Sequence, residues 1–89
     1  MAGYILIRHK VRDFAEWKPA FDSHASTRDE AGLALKHLLR GADDPNDVVI
    51  LFEAADLNSG KAFAGSADLK EVMQKAGVID KPDVYFLTD

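Results

Sequence analysis

Residues 48–52 read VVILF, an apolar run without a break. Successive side chains of a strand point to opposite faces, so Val48, Ile50 and Phe52 lie on one side and Val49 and Leu51 on the other. Turn formers bound the run, GADDPND before it and Asp56 after it. Residues 46–54 therefore predict a central strand that must be covered on both faces, and the rest of the 89-residue chain has to supply that cover.

Residues 4–11 alternate, with Ile5, Ile7, His9 and Val11 on one side and Tyr4, Leu6, Arg8 and Lys10 on the other, which predicts a first strand. Asp13 then stands as a helix N-cap, with Glu16 three residues on as its capping-box partner. At about 100° per residue, Phe14, Trp17, Phe21, His24, Ala25 and Arg28 form one stripe, while Glu16, Pro19, Ser23 and Thr27 face away. Pro19 on the outer side removes a backbone bond and predicts a bend over the sheet. The helix should stop near Gly32.

Residues 33–40 predict a second strand. Asp56 opens another helical region and Ser66 caps again, before a face made of Leu69, Val72, Met73 and Ala76 and a stop at Gly77. Gly60 and Gly65 inside this region predict two short helices or one broken helix. Residues 84–88 form a last strand.

The order βαββαβ predicts a single α+β domain over residues 1–89, ferredoxin-like, with a four-stranded antiparallel sheet and its helices on one face. Those helices leave the second face of the apolar central strand bare. A sheet with one face in water shows a cleaner alternation than this one. A second copy packed face to face as a two-fold homodimer is the economical cover. A chain of this size buries only about 60–65% of its unfolded surface, so such a partner also adds needed burial.

Composition narrows the function. The content of 47% hydrophobic and 29% charged residues is that of an ordinary globular domain. The net charge of −4, without a basic cluster, argues against nucleic acid. The short alternating start is unlike a signal peptide, and no apolar run approaches the ~18 residues of a membrane span. With no cysteine there is no thiol chemistry, and a cytoplasmic address is the expectation.

The segments RHKVRDFAEWKPAFD, ADDPNDVVILFEAADL, FAGSADLKEVMQKAGV and PDVYFL together resemble small members of the antibiotic-biosynthesis-monooxygenase-like group, within the dimeric α/β-barrel superfamily. The resemblance spans nearly the whole chain, and is nearest to members of unassigned activity, some labelled cyclases. It implies a ferredoxin-like subunit that pairs through its sheet and holds a ligand between helices and sheet. The superfamily includes cofactor-free monooxygenases, haem-degrading enzymes, lactone isomerases and polyketide cyclases, so the fold alone does not choose among reactions. Haem-degrading relatives use an Asn on the first strand, a Trp in the sheet and a His on the second helical region. Here residues 4–11 hold no Asn, the single tryptophan is Trp17, and residues 56–77 hold no His. No cofactor is therefore expected.

Within that frame His9 and His37, on the first two strands, are the candidate acid/base pair, since imidazole is readily poised near neutrality. If the two share a face they stand about 9–10 Å apart, two strand spacings, as opposite walls of one pocket. Trp17, Phe21, His24 and Phe52 are candidates to line a ligand site, and Arg8 to steady negative charge on the ligand. Each also has a plain reading as core, cap or surface ion pair. No metal is expected, because His9, His24 and His37 lack ligand spacing and the aspartates around Pro45 lack that of a calcium loop. The leading expectation is a homodimer that binds a small apolar or aromatic, polyketide-like molecule and performs cofactor-free oxygenation or cyclase/isomerase chemistry. The alternative is a non-catalytic homodimer that binds a metabolite or serves as a stress-associated module.

Overall fold

The computed structural model describes residues 3–79 and 82–89, with the backbone alone for residues 67–69 and 72. Strands β1 (Gly3–Lys10), β2 (Leu33–Arg40), β3 (Asp47–Ala54) and β4 (Asp83–Thr88) form one antiparallel sheet in the order β2-β3-β1-β4. Helices α1 (Phe14–Ser23) and α2 (Ala25–Glu30) follow β1, and α3 (Leu57–Ala64) and α4 (Ala67–Lys75) follow β3. This is the ferredoxin-like α+β architecture, with an open sheet in the single chain. Among the described residues no helix is long and apolar enough to cross a membrane.

Local chemistry places the element ends. The Asp13 carboxylate accepts from the Ala15 N–H at 3.0 Å and so starts α1. Glu16 does not close a capping box; its carboxylate turns instead to Arg12 at 3.3 Å. Asp56 caps α3 in the same way as Asp13, accepting from the Asn58 N–H at 3.0 Å. Gly32 (φ 78°) and Gly77 (φ 93°) take the left-handed conformation that ends each helical region. The single helix expected up to Gly32 is instead broken at His24, whose N–H donates back to the Phe21 carbonyl at 3.2 Å. Pro19 stands inside α1 on its exposed side. Leu69 and Val72, expected on the buried face of α4, lie outside the described side chains.

The core forms where the helices meet one face of the sheet. Ile5, Leu33, Val48, Ile50, Phe52 and Trp17 are all at most 4% exposed. At Gly60 the helix backbone comes so close that an added Cβ would stand 2.7 Å from the Ile5 Cδ1. The opposite face keeps Leu39, Tyr85 and Leu87 exposed.

β2 contains the one register change. Leu35 pairs with Phe52 while His37 pairs with Leu51, so Lys36 is an extra residue on this strand. Past this bulge every side chain changes face relative to a regular strand. Leu38 and Arg40 turn to the helix side, where the Arg40 guanidinium lies 3.9 Å from the Phe14 ring centroid. His37 and Leu39 turn to the open side.

Candidate functional site

Strand parity puts His9 on the helix face of β1, opposite Val48, where it is 3% exposed. Helix α1 lays its aromatic edge across that position. The Trp17 ring meets His9 edge-on with centroids 5.4 Å apart, and stacks on Phe21 at 4.8 Å. Phe21 in turn faces Phe52 of β3 at 6.3 Å. The aromatic stripe legible in the sequence is thus a continuous row of rings that ties α1 to β1 and β3.

Beside this row a cleft opens between helices and sheet. Ile7, His9, Ile50 and Phe52 form its floor. Trp17, Ala20, Phe21, His24 and Arg28 form its roof, and Phe63, Met73 and Ala76 close the far side. It opens to solvent on one side and has a cavity volume of about 60 Å³. A single water needs ~10–15 Å³ by that measure, so the cleft takes several waters or a small planar ring.

Arg28 is the site group that sequence reasoning misses. It falls on the helical stripe, but the sequence assigns it no role in the site. In the structure Arg28 is buried to 9% exposure. Its guanidinium lies 3.8 Å from the Phe21 ring centroid and 5.8 Å from that of Phe52. Nη1 donates to the Phe21 carbonyl at 2.6 Å. That carbonyl lies in the last turn of α1, where oxygens lose their helical partners, so the cation also serves as a helix-end cap. Burial lowers the Arg28 pKa from its usual value, and the charges of Asp22 and Asp29 act in the opposite direction. An arginine seven residues after a phenylalanine on one apolar stripe is the available signal.

Of the expected site residues, His9, Trp17, Phe21, His24 and Phe52 come together around the cleft. Arg8 and His37 do not. His37 would form the wall opposite His9 if the two shared a face, but the Lys36 bulge sends it to the open face of the sheet. Arg8 has the open-face parity of β1 and is taken up by carboxylates, Asp47 at 3.0 Å and Asp83 at 3.5 Å. The hydrogen bond and charge of Asp47 raise its pKa above the usual value. It is an ion-pair residue across three strands, away from the cleft. Among the described residues no three His, Cys, Asp or Glu side chains gather in a group suited to a metal ion.

The site therefore offers a flat apolar slot with one imidazole on its floor, a second at its edge and a guanidinium in its roof. Such a slot holds a planar ring by dispersion and stacking, and leaves nitrogen bases to act on whatever polar group the ring carries.

The family described as Domain of unknown function (DUF3764) matches residues 7–85, and the chain belongs to it. No curated protein matches the chain. Among solved structures it is similar to a Bordetella bronchiseptica protein named for the antibiotic biosynthesis monooxygenases, with a TM-score of 0.78 and 15% identity over 100% of this chain and 98% of that one. It is similar also to SnoaB, a cofactor-independent oxygenase from Streptomyces nogalater, with a TM-score of 0.75 and 17% identity over 99% and 92%. A conserved protein from Methanosarcina mazei matches with a TM-score of 0.74 and 14% identity over 98% and 91%. At these identities the likeness is one of fold, that of the antibiotic-biosynthesis-monooxygenase-like proteins.

Proposed function

We propose that this member of the DUF3764 family binds a small aromatic, polyketide-like molecule in its cleft and acts on it by cofactor-independent oxygenation or by cyclisation or isomerisation, with His9 as general acid or base. The observation that carries this reading is a buried imidazole sharing one slot with the rings of Trp17, Phe21 and Phe52. A general base must lie within reach of the proton it removes, and a ring held against this row lies beside His9. The fold likeness to a cofactor-independent oxygenase supports the oxygenation branch. In that branch the substrate supplies the electrons: an activated ring CH₂ loses a proton to His9, takes up O₂, and ends as C=O with release of one water.

The test is oxygen uptake with small quinols and phenols bearing such a carbon, and product analysis with small lactones for the other branch. The expected result is turnover above the spontaneous rate that falls at least ~10²-fold in His9→Gln, the usual weight of a general base. Tight binding without turnover in either assay would instead establish a metabolite-binding module.

The open sheet face belongs to the same proposal, as the seat of a second copy of this chain. Leu39, Tyr85 and Leu87 stand exposed there, and a two-fold partner presenting the same face is the commonest way to cover such a surface. Light scattering should give a dimer at micromolar concentration, and Tyr85→Glu should shift it to a monomer. A monomeric wild-type chain would overturn this part.

A further inference from the structure

We propose that the cleft selects aromatic acids: the ring lies along Trp17, Phe21 and Phe52, and its carboxylate meets the Arg28 guanidinium. The inference rests on the aromatic-ligand reading above and adds the charge of the ligand. Three observations carry it.

First, Arg28 is a buried cation whose contacts are neutral. One of its five N–H donors goes to the Phe21 carbonyl, and its Cζ lies over the Phe21 ring. Among the described residues no carboxylate lies within ion-pair distance of it, although the chain holds fifteen acidic residues against eleven basic ones. Asp22 and Asp29 act on it only from beyond ion-pair contact, and burial outweighs them. A buried charge with no carboxylate in contact is costly, and an incoming anion relieves that cost.

Second, the cleft wall is one-sided. Among the described residues its ionisable members are Arg28, His9 and His24, with no Asp or Glu. In a chain of net charge −4 such a lining favours an anion over a cation.

Third, the guanidinium is held. Its Cζ lies 3.8 Å from the Phe21 ring centroid and Nη1 is tied to the Phe21 carbonyl, and a guanidinium so anchored keeps further donors, in the planar fork that matches a carboxylate in two parallel bonds. The same Phe21 that orients the cation also stacks on Trp17, so ring slot and anion anchor are adjacent parts of one wall.

Trp17 is the single tryptophan and lines the cleft, so its fluorescence reports occupancy directly. The ligands are 2-naphthoate and 2-naphthamide, nearly identical in shape and different in charge, titrated at neutral pH. Wild type should bind the acid about tenfold or more tightly than the amide, ~1.4 kcal/mol. Arg28→Met should bring the two affinities together, with the loss falling more heavily on the acid than on the amide, and Arg28→Lys should keep part of the preference. A merely structural Arg28 would weaken both ligands alike. Equal affinities in wild type, or a preference that survives in Arg28→Met, overturn the proposal and leave the aromatic reading intact. Binding of neither ligand overturns both. Should Arg28→Met fail to fold, the wild-type ligand pair and the lysine variant still decide the outcome.

Discussion

His9 and Trp17 meet edge to face, ring centroids 5.4 Å apart and planes 65° from parallel, where the first helix crosses the first strand. The contact fixes the height of α1 above the sheet, because Trp17 is 3% exposed and reaches Phe14 and Phe21 as well. Trp17→Ala should therefore cost about 3–5 kcal/mol, the range for an emptied aromatic core site. Urea unfolding followed by far-UV circular dichroism measures it. A loss under about 1 kcal/mol would show that the helix is held elsewhere.

Gly60 sets the spacing of α3 on the sheet. Its missing side chain leaves room for Ile5 Cδ1 at 2.7 Å from the ideal Cβ position, with Leu33 Cδ2 next at 3.4 Å. Alanine is worth ~1 kcal/mol over glycine in an exposed helix, whereas overpacking a core costs ~1–3 kcal/mol. Ile5 is enclosed at 1% exposure and has nowhere to turn. Gly60→Ala should lower the melting temperature, with a net loss of about 1 kcal/mol. A rise would mean that Ile5 repacks freely.

The Lys36 bulge makes a test by deletion. Removing Lys36 leaves Leu33, Leu35, Leu38 and Arg40 in regular alternation on the helix side, and costs chiefly its ion pair to Glu53 at 3.7 Å. Such an exposed pair is worth ~0–1 kcal/mol. The deletion variant should therefore fold, with a melting temperature near that of wild type. Inserting one alanine after His37 should do the opposite, by throwing Leu38 out of the helix face. A deletion that unfolds the chain, together with a tolerated insertion, would overturn this pairing of β2 with β3.

Asp44 carries a pH dependence of known sign. The Asn46 backbone N–H donates to its carboxylate at 3.0 Å and Lys10 lies at 3.2 Å, and these in that order lower its pKa. A carboxyl whose folded pKa is depressed adds stability above its unfolded value and loses it as pH falls through the folded one. Wild type should be more stable than Asp44→Asn at neutral pH, and the gap should close only below about pH 4, the ordinary range of an aspartate. Paired melting curves across that range check it. A gap that stays constant into acid would assign the effect to the side-chain hydrogen bond alone.

How far each residue's role is legible in the sequence varies for physical reasons. Asp13, Asp56, Gly32 and Gly77 act within a few residues of themselves, through caps and left-handed turns, and their roles are readable one at a time. The parity of β1 and β3 is equally plain, and it groups His9 and Phe52 with the correct neighbours. His37 is not readable, because a bulge is a property of two strands and nothing in LALKHLLR marks Lys36 as the extra residue. Arg28 escapes for a related reason. Its worth comes from the break at His24 and the Phe21 carbonyl at the end of α1, which are in place only once α1 has docked and stopped.

Short-range chemistry and hydrophobic period thus suffice for the element order, the antiparallel sheet and the aromatic edge of α1, since each depends on neighbours along the chain. The face on which His37 stands, the burial of Arg28 and the cleft beneath the helices depend on register and on side chains brought from distant segments. Those were decided in three dimensions, because a one-residue slip or a broken turn costs little locally and redirects every side chain that follows it.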